Sequence, residues 1–333
     1  PCGTLFPYTT LFRSPPEFAE RRSGEDDPDF VVKNEWISEE NRRVVEFLSE
    51  TAGEYGGGFR SFAEWTVTDN WFHMRYGAGD GGIRARRGAA FGSDYRAAIS
   101  SLRWLHPEAP LSGRMQARAF VPRSDAAFAK PFKQWMWRPS VMADYEVFVV
   151  APAVITEWDN VRFVHIAGVL GVDRDFNVVA EGDPERQIRH VLETIRTVAR
   201  EAGGSPDDVV RLRPFVQTPS MGKTVRGQIP ELWSGDVRPS VLVADDMKFS
   251  DDSPYYIETQ AVVVIGGEHR MLFSEGSTTA REIRGDGWIQ LEVSGVEVAA
   301  ADDVSAEALR STPKTAASAD AEAAARGGPT FEP

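Results

Sequence analysis

The stretch from residue 161 to residue 265 constrains the fold of this chain most strongly. Over residues 183–203, apolar side chains recur at helical spacing and form a single stripe, with Asp183 suited to the N-cap. The stripe consists of Ile188, Val191, Leu192, Ile195, Val198 and Ala199. A weaker helical pattern runs up to Trp233. Apolar strand patterns lie at residues 161–168, 208–216 and 257–265. This alternation of strands and helices predicts a domain of the α+β class.

Bulk properties exclude several classes of function. The 333 residues predict about two domains. A net charge of −13 argues against a general nucleic-acid or membrane-surface role, because both need a basic face. The most apolar run, residues 262–266, is far too short to cross a bilayer.

Cysteine and histidine usage argues against disulfides and zinc. Cys2 is the single cysteine, so an internal disulfide is impossible, and the five histidines show no ligand spacing. We therefore expect a cytoplasmic protein that carries no metal or other cofactor.

The two ends of the chain are expected to lie outside the folded domains. Residues 1–14 lack a starting Met and the features of a signal peptide, and we expect residues 1–35 to be disordered or artefactual. Residues 300–333, rich in Ala, Asp and Glu, are expected to form a disordered tail. Between the core and this tail, residues 267–299 predict extra strands, with a turn at residues 284–287.

Residues 36–151 give a weaker mixed pattern. Good N-cap residues precede helical spacing at several points, and β-branched and aromatic runs lie between them. The predicted helices cover residues 38–53, residues 93–105 and a segment from Ser124 to Phe132. The predicted strands cover residues 59–67, 71–76, 114–121 and 146–150.

The same four-residue sequence occurs in both halves of the chain. Arg-Pro-Ser-Val occurs at residues 138–141 and again at residues 238–241, each time after a predicted strand and helix. This order predicts a tandem duplication of one unit over residues 36–151 and 152–266. The alternative is that Arg-Pro-Ser recurs by accident.

Several motifs of the second half resemble the Rid (YjgF, reactive intermediate deaminase) family. They are the glycine-ended strand at residues 164–168, Gln187 in the first helical turn, residues 201–204 and 207–210, Arg238, and Ile257-Glu-Thr-Gln-Ala261. The resemblance implies tandem β-β-α-β-α-β-β units, in each of which helices pack on one face of a sheet. It also implies a homotrimer with active clefts between neighbouring units, the first of the two units being degenerate.

The resemblance also implies roles for particular residues. The family arginine that Arg238 matches binds the carboxylate of an enamine or imine derived from an amino acid, and the acidic residue matched by Glu258 orients the attacking water. The chemistry agrees, since a guanidinium presents a planar fork to a carboxylate. A glutamate in an apolar strand must be paired or functional. We therefore predict Glu258 as the catalytic residue and Arg238 as the substrate anchor. The alternative for Glu258 is a structural salt bridge, and the alternative for Arg238 is a structural ion pair or a solvated arginine.

Two further residues are candidates for binding substrate. Ser240 offers a hydroxyl or backbone contact beside the arginine. His165 lies in the strand that ends at Gly168, where it either lines a cleft or is a satisfied structural histidine. The sequence departs from the family pattern at Ala167, Val169 and Thr194, where the family has serine, glutamine and asparagine.

Three functions fit these observations. The first is a Rid-like enzyme that hydrolyses or processes a reactive enamine or imine carboxylate. The second is a chorismatase-like enzyme that releases pyruvate from chorismate, since chorismatases also join two Rid-like halves. The third is a non-catalytic ligand-binding or assembly protein. In each case the expected partner is a small carboxylate, and neither nucleic acid nor membrane is expected to bind.

Overall fold

The structure is a computed structural model that describes residues 8–12, 50, 53, 62–69, 97–104, 113–119, 132–144, 150–158, 160–235, 237–245, 247–248, 254–275, 278–285 and 288–294. In chain order, the strands are β1 (Tyr8–Phe12), β2 (Phe62–Asp69), β3 (Ala98–Trp104), β4 (Gly113–Ala119), β5 (Phe132–Trp137), β6 (Ala153–Trp158), β7 (Val161–Leu170), β8 (Val209–Val216), β9 (Ser240–Val241), β10 (Met247–Lys248), β11 (Ile257–Ile265), β12 (Glu268–Glu275), β13 (Thr278–Gly285) and β14 (Trp288–Ser294). The two longer helices described are α1 (Pro184–Glu201) and α2 (Pro219–Leu232).

Helix α1 forms where its apolar stripe predicts it. The side chain of Asp183 accepts a hydrogen bond from the backbone N–H of Arg186 at 3.1 Å, which caps the first turn. At the other end, Gly203 adopts a φ of 92°, a left-handed conformation that glycine reaches without strain. All six members of the stripe are buried, so the predicted helix is confirmed.

A six-stranded sheet carries α1 and α2 on one face. Its strand order is β5-β6-β7-β11-β8-β9, antiparallel throughout except for the parallel pair β8–β9. A Cβ added to Gly222 of α2 would contact the side chain of Val216, so the helices cover the face to which Val216 points. Because residues along a strand alternate between faces, Leu212 points to the helices as well, whereas Arg211 and Phe215 point to the opposite face.

A five-stranded sheet packs against that opposite face. Its order is β1-β4-β2-β3-β10, and β2 and β3 contact β6, β7 and β11. Strand β10 lies between β9 and β11 in the sequence but pairs with β3, with Met247 opposite Trp104. Between β9 and β11 the chain therefore crosses from the six-stranded sheet to the five-stranded sheet and back.

A three-stranded sheet, β12-β13-β14, follows the core. The prediction of strands over residues 267–299 is confirmed for the described residues. Arg281 of β13 is buried and donates to the carbonyl oxygens of Val209 at 3.0 Å and Asp207 at 2.7 Å. These bonds attach the small sheet to the start of β8.

Two predictions for the first half are wrong, and one segment expected to lie outside the folded domains is described as a strand. Residues 98–104 form strand β3, parallel to β2, and not part of a helix over residues 93–105. Phe132 begins strand β5 and does not end a helix. Tyr8–Phe12, expected to be disordered or artefactual, pairs with β4 as strand β1.

The duplication loses its main support through the first two corrections. The segment Arg138–Val141 directly follows strand β5, whereas the segment Arg238–Val241 follows helix α2. The order of elements therefore differs around the two copies of the Arg-Pro-Ser-Val sequence. The mixed fold is confirmed, and the tandem arrangement is not. Helical spacing in 93–105 was misleading because pairing with a neighbouring strand overrides local pattern in so short a segment.

Other predictions fall largely outside the described residues. Of the predicted helix over residues 38–53, Glu50 and Gly53 are described, and both are helical. The predicted strands over 71–76 and 146–150 and the predicted tail over 300–333 lie outside the described residues, apart from Val150. No helix in the described ranges is both long and apolar enough to span a membrane.

Candidate active site

The carboxylate of Glu258 lies directly over the α-carbon of Gly168. Glu258 is on β11 and only 4% exposed, and a Cβ placed on Gly168 of β7 would be 1.8 Å from its Oε1 and 2.4 Å from its Cδ. No side chain fits in that space, so glycine at 168 is required for the glutamate to occupy its position. The pairing of β7 with β11 shifts register between Thr259 and Ala261, which places Gly168 in an irregular part of its strand.

Gln187 holds the chain segment that leads into Glu258. Its side-chain oxygen accepts from the backbone N–H of Tyr256 at 2.6 Å, and its Nε2 donates to the carbonyl oxygens of Pro254 and Val179. The side chain packs over Gly171, where a Cβ would come within 2.2 Å of Cγ and Cδ of Gln187. Gln187, noted in the sequence as part of the family pattern, therefore connects the first turn of α1 to the start of β11.

Strand register places a row of polar side chains on the same face as Glu258. Glu258 pairs with Phe215, Gln260 with Arg213, and Val262 with Arg211. Residues paired directly across strands share a face, and so do residues two apart on one strand. Arg213 is therefore a diagonal neighbour of Glu258, and its guanidinium carbon lies 5.5 Å from the centre of the Phe215 ring.

His165 and Arg211 converge on a glutamate of the other sheet. Nδ1 of His165 lies 3.0 Å from Oε2 of Glu64, and the guanidinium of Arg211 donates to both oxygens of Glu64 at 2.6 and 2.5 Å. Glu64 and His165 are both buried. We call Glu64, His165 and Arg211 the intersheet cluster. The structure therefore places His165 between the two sheets, in contact with protein groups.

Ser240 is also engaged by the protein. Its Oγ lies 2.8 Å from Oγ1 of Thr279 on β13, and the residue is 1% exposed. The Ser240 hydroxyl, a candidate substrate contact from the sequence, is therefore buried against the three-stranded sheet and hydrogen-bonded to it.

Arg238 and Glu258 are far apart along the sheet. Ser240 pairs with Arg211 on β8, whereas Glu258 pairs with Phe215, and Arg238 lies two residues before Ser240. This offset of about six residues corresponds to roughly 20 Å along β8. Arg238 is partly exposed, and it makes no hydrogen bond or ion pair with any residue in the described ranges. Within one chain, therefore, the two side chains do not meet on one small molecule.

Arg213 and Phe215 were missed by reasoning from the sequence. Their signal was present in Val209-Val-Arg-Leu-Arg-Pro-Phe-Val216, where two arginines alternate with buried residues in an otherwise apolar strand. The sequence does not show which residues of the neighbouring strands lie beside these two arginines, because it does not give the order of strands in the sheet. Within the described ranges, no group of His, Cys, Asp and Glu side chains has the arrangement of a metal site.

Comparison with known proteins places this domain in a family. Residues 150–244 match the family described as Endoribonuclease L-PSP. The 3-aminoacrylate deaminase RutC of Acinetobacter baylyi is 35% identical over 106 residues, which cover 28% of this chain and 82% of RutC. Among solved structures, the Rid protein YyfA of Yersinia pestis is 16% identical, with a TM-score of 0.34 over 39% of this chain and 98% of YyfA. Yeast Mmf1 is 13% identical, with a TM-score of 0.34 over 40% of this chain and all of Mmf1.

The second half is thus a Rid-type domain, with a sheet, two helices on one face and a strand glutamate over a strand glycine. The chain belongs to the Rid family, matched here as Endoribonuclease L-PSP. The predicted resemblance is confirmed.

Proposed function

We propose that this protein hydrolyses a reactive imine or enamine that carries a carboxylate, with Glu258 as the catalytic acid and base. The observation that carries the proposal is the position of the Glu258 carboxylate over Gly168 on a buried strand. A buried carboxylate is costly, and a close fit to a glycine holds it in one place. The similarity to RutC, a 3-aminoacrylate deaminase, supports the same class of reaction.

The reaction needs one water and one proton relay. An enamine first tautomerises to the imine, as its carbon gains a proton and its nitrogen loses one. Glu258 then accepts a proton from water as the water oxygen bonds to the imine carbon, and it passes that proton to the nitrogen. Glu258 next takes the hydroxyl proton of the resulting carbinolamine and gives it to the nitrogen. The carbon–nitrogen bond breaks with its electron pair going to nitrogen, and the carbonyl forms as ammonia leaves. Atoms balance as imine plus water giving ketone or aldehyde plus ammonia.

In this proposal, Arg238 of a neighbouring copy of the chain binds the carboxylate of the substrate. The offset of roughly 20 Å along β8 separates it from Glu258 of the same chain. A guanidinium that makes no ion pair with the described residues is suited to a carboxylate ligand. A homotrimer, the assembly implied by the resemblance, would bring Arg238 of one copy to Glu258 of another.

An imine trap assay tests the reaction. An amino-acid oxidase supplies the imine, semicarbazide traps it, and the enzyme is scored by the loss of trapped product. We expect Glu258→Gln to lose activity by roughly a hundredfold or more at unchanged stability, since the amide is nearly isosteric but cannot relay a proton. The exposed Glu231 on α2 provides the control, and Glu231→Gln should retain full activity. Equal rates for Glu258→Gln and the wild type would exclude the proposed role.

Co-expression tests the sharing of a cleft between copies. Arg238→Ala and Glu258→Gln chains should each be inactive alone and recover part of the wild-type rate when mixed in one oligomer. Recovery is expected because some clefts then contain an intact arginine and an intact glutamate. Mixed oligomers without activity would exclude a site built from two chains.

A non-catalytic role is the second candidate, and one observation favours it. His165 and Ser240, which the sequence offered as substrate contacts, are hydrogen-bonded to Glu64 and Thr279 of the protein. A binding protein would hydrolyse no imine, and small carboxylates would raise its melting temperature only when Arg238 is intact. Incubation with chorismate and detection of pyruvate tests the chorismatase-like reaction in the same series.

A further inference from the structure

We propose that Gln187 and Gln217 are positioning residues for Glu258, which hold the chain directly before it by hydrogen bonds to its backbone. This inference rests on the proposed function, in which the carboxylate of Glu258 relays the proton. The two glutamines take no part in the chemical steps and act through the backbone of residues 254–256. We call Gln187 and Gln217 the glutamine clamp.

The position of Glu258 near a strand end creates the need for such a clamp. Strand β11 begins at Ile257, so Glu258 is its second residue. Pairing with β8 begins at Ile257, opposite Val216, and pairing with β7 begins at Glu258 itself, opposite Leu170. The ends of elements open more readily than their middles. A catalytic group needs its position fixed to within about 0.5 Å, so the chain before β11 has to be held as well.

Two side-chain amides continue the hydrogen bonding where the strand ladder ends. Oε1 of Gln187 accepts from the backbone N–H of Tyr256 at 2.6 Å, and its Nε2 donates to the carbonyl oxygen of Pro254 at 3.2 Å. Nε2 of Gln217 donates to the carbonyl oxygen of Tyr255 at 2.9 Å. Each of the three residues before β11 is therefore bonded to a member of the glutamine clamp.

Both members of the glutamine clamp lie on well-fixed parts of the fold. Gln187 is fully buried in the first turn of α1, packs over Gly171, and donates from Nε2 to the carbonyl oxygen of Val179 at 3.1 Å. Gln217 directly follows β8 and precedes Thr218, the N-cap of α2. The clamp thus ties the start of β11 to the starts of both helices.

A third glutamine provides a matched comparison. Gln228 of α2 is buried, and its Nε2 donates to the carbonyl oxygen of Glu185 at 3.1 Å. Like Gln187, it is a buried amide that bonds to backbone near the start of α1. Its bond goes to the helix itself, whereas the bonds of Gln187 and Gln217 go to the chain before Glu258. Loss of the Gln228 amide should therefore affect stability and leave the carboxylate in place.

Replacement by methionine tests the glutamine clamp, because methionine is close to glutamine in length and lacks the amide. Imine hydrolysis is measured with the full-length protein at a temperature at which circular dichroism shows every variant to be folded. We expect Gln187→Met to lower kcat by roughly tenfold or more and to change KM little, since a misplaced group slows the chemical step. Gln217→Met should cost less, because it removes one bond to this segment and Gln187→Met removes two. Gln228→Met should keep the wild-type kcat.

A double variant distinguishes positioning of the carboxylate from a general weakening of the fold. If Gln187 acts through Glu258, Gln187→Met should lower kcat much less in the Glu258→Gln background than in the wild type. A glutamine that only stabilises the fold would lower kcat by the same factor in both backgrounds. Equal factors would therefore overturn the inference.

Hydrogen exchange gives a measurement that does not depend on activity. The backbone N–H of Tyr256 loses its acceptor in Gln187→Met, so it should exchange faster than in the wild type and in Gln228→Met. Exchange at an unchanged rate would show that the amide does not hold this segment, and would overturn the inference.

The remaining outcomes separate this inference from the proposed function. If the wild type hydrolyses imines and Gln187→Met keeps its kcat, or if all three glutamine variants lose kcat equally, the inference is overturned and imine hydrolysis stands. If the wild type hydrolyses no imine, the proposed function fails and the inference fails with it. If Gln187→Met does not fold, Gln217→Met provides the test, and an unchanged kcat in that variant overturns the inference.

Discussion

At the scale of single residues, Gly168 and Glu258 depend on each other. The glutamate carboxylate occupies the space that any β-carbon at 168 would need. The sequence shows a glycine-ended strand and a distant glutamate, and nothing in the sequence says that the two touch. Because β7 and β11 are neighbours in the sheet, the pair becomes one structural unit.

The first prediction concerns Gly168→Ala. The added methyl group forces the Glu258 carboxylate out of its position, so we expect imine hydrolysis to fall to the level of Glu258→Gln. Overpacking of this kind costs about 1–3 kcal/mol of unfolding free energy, which urea denaturation measures. Gly227→Ala provides the control, since nothing lies within 4 Å of its added Cβ, and this variant should be neutral or more stable.

The double variant Gly168→Ala, Glu258→Ala separates the clash from other effects. Removing the carboxylate relieves the contact, so the two stability costs should not add. Strict additivity would show that the methyl group is accommodated without moving the glutamate. Activity should stay low in the double variant, since it has no carboxylate at 258.

At the scale of elements, the three-stranded sheet is attached by a buried arginine, Arg281, and a partly buried histidine, His269. Arg281 contacts Nδ1 of His269, and Nε2 of His269 lies 2.9 Å from the carbonyl oxygen of Gly266. A guanidinium has only donors, so Nδ1 of His269 must accept and Nε2 must carry the proton that it donates to Gly266. The geometry therefore requires the neutral imidazole. Burial lowers the pKa of His269 below 6.5, and the charge of Arg281 lowers it further, against opposing effects from Gly266 and Asp208.

The second prediction follows from the lowered pKa of His269. Below pH 6.5 the unfolded chain takes up a proton at His269 that the folded chain resists, so this residue contributes stability at neutral pH that is lost as the pH falls. We expect the melting temperature of the wild type to drop more between about pH 7.5 and pH 5 than that of His269→Gln. An identical drop in the two proteins would mean that the imidazole does not titrate between these conditions.

At the scale of the whole molecule, the intersheet cluster joins two sheets that are distant in sequence. Glu64 of β2 reaches His165 of β7 and Arg211 of β8 across the packed faces. A buried ion pair of this kind contributes little net stability when intact. Removing one partner leaves a buried charge uncompensated and is strongly destabilising.

The third prediction is that Glu64→Leu lowers the free energy of unfolding by about 3–5 kcal/mol. Glu157 and Arg162 form the comparison pair, because they lie in neighbouring strands with both side chains about one-third exposed. Glu157→Gln should cost no more than about 1 kcal/mol. Chemical denaturation monitored by tryptophan fluorescence measures both, and equal small losses would mean that the cluster does not hold the sheets together.

Side-chain patterns along the chain predict the elements of the second half. Helix α1, strands β7, β8 and β11, and the strands after residue 267 follow from side-chain periodicity, caps and glycine positions, which are local properties. Gln187, Arg238 and Glu258 were also recognisable as a pattern. In the first half, local spacing was misleading for residues 98–104, where pairing with β2 decides the conformation.

The arrangement of the functional side chains depends on tertiary contacts. Register along β8 separates Arg238 from Glu258 and brings Arg213 beside it, and sheet packing gives His165 and Ser240 protein partners. Both outcomes depend on contacts between segments far apart in the chain. Local sequence carries the preference of each segment for strand or helix, whereas a shift of one residue in pairing exchanges the faces on which side chains meet.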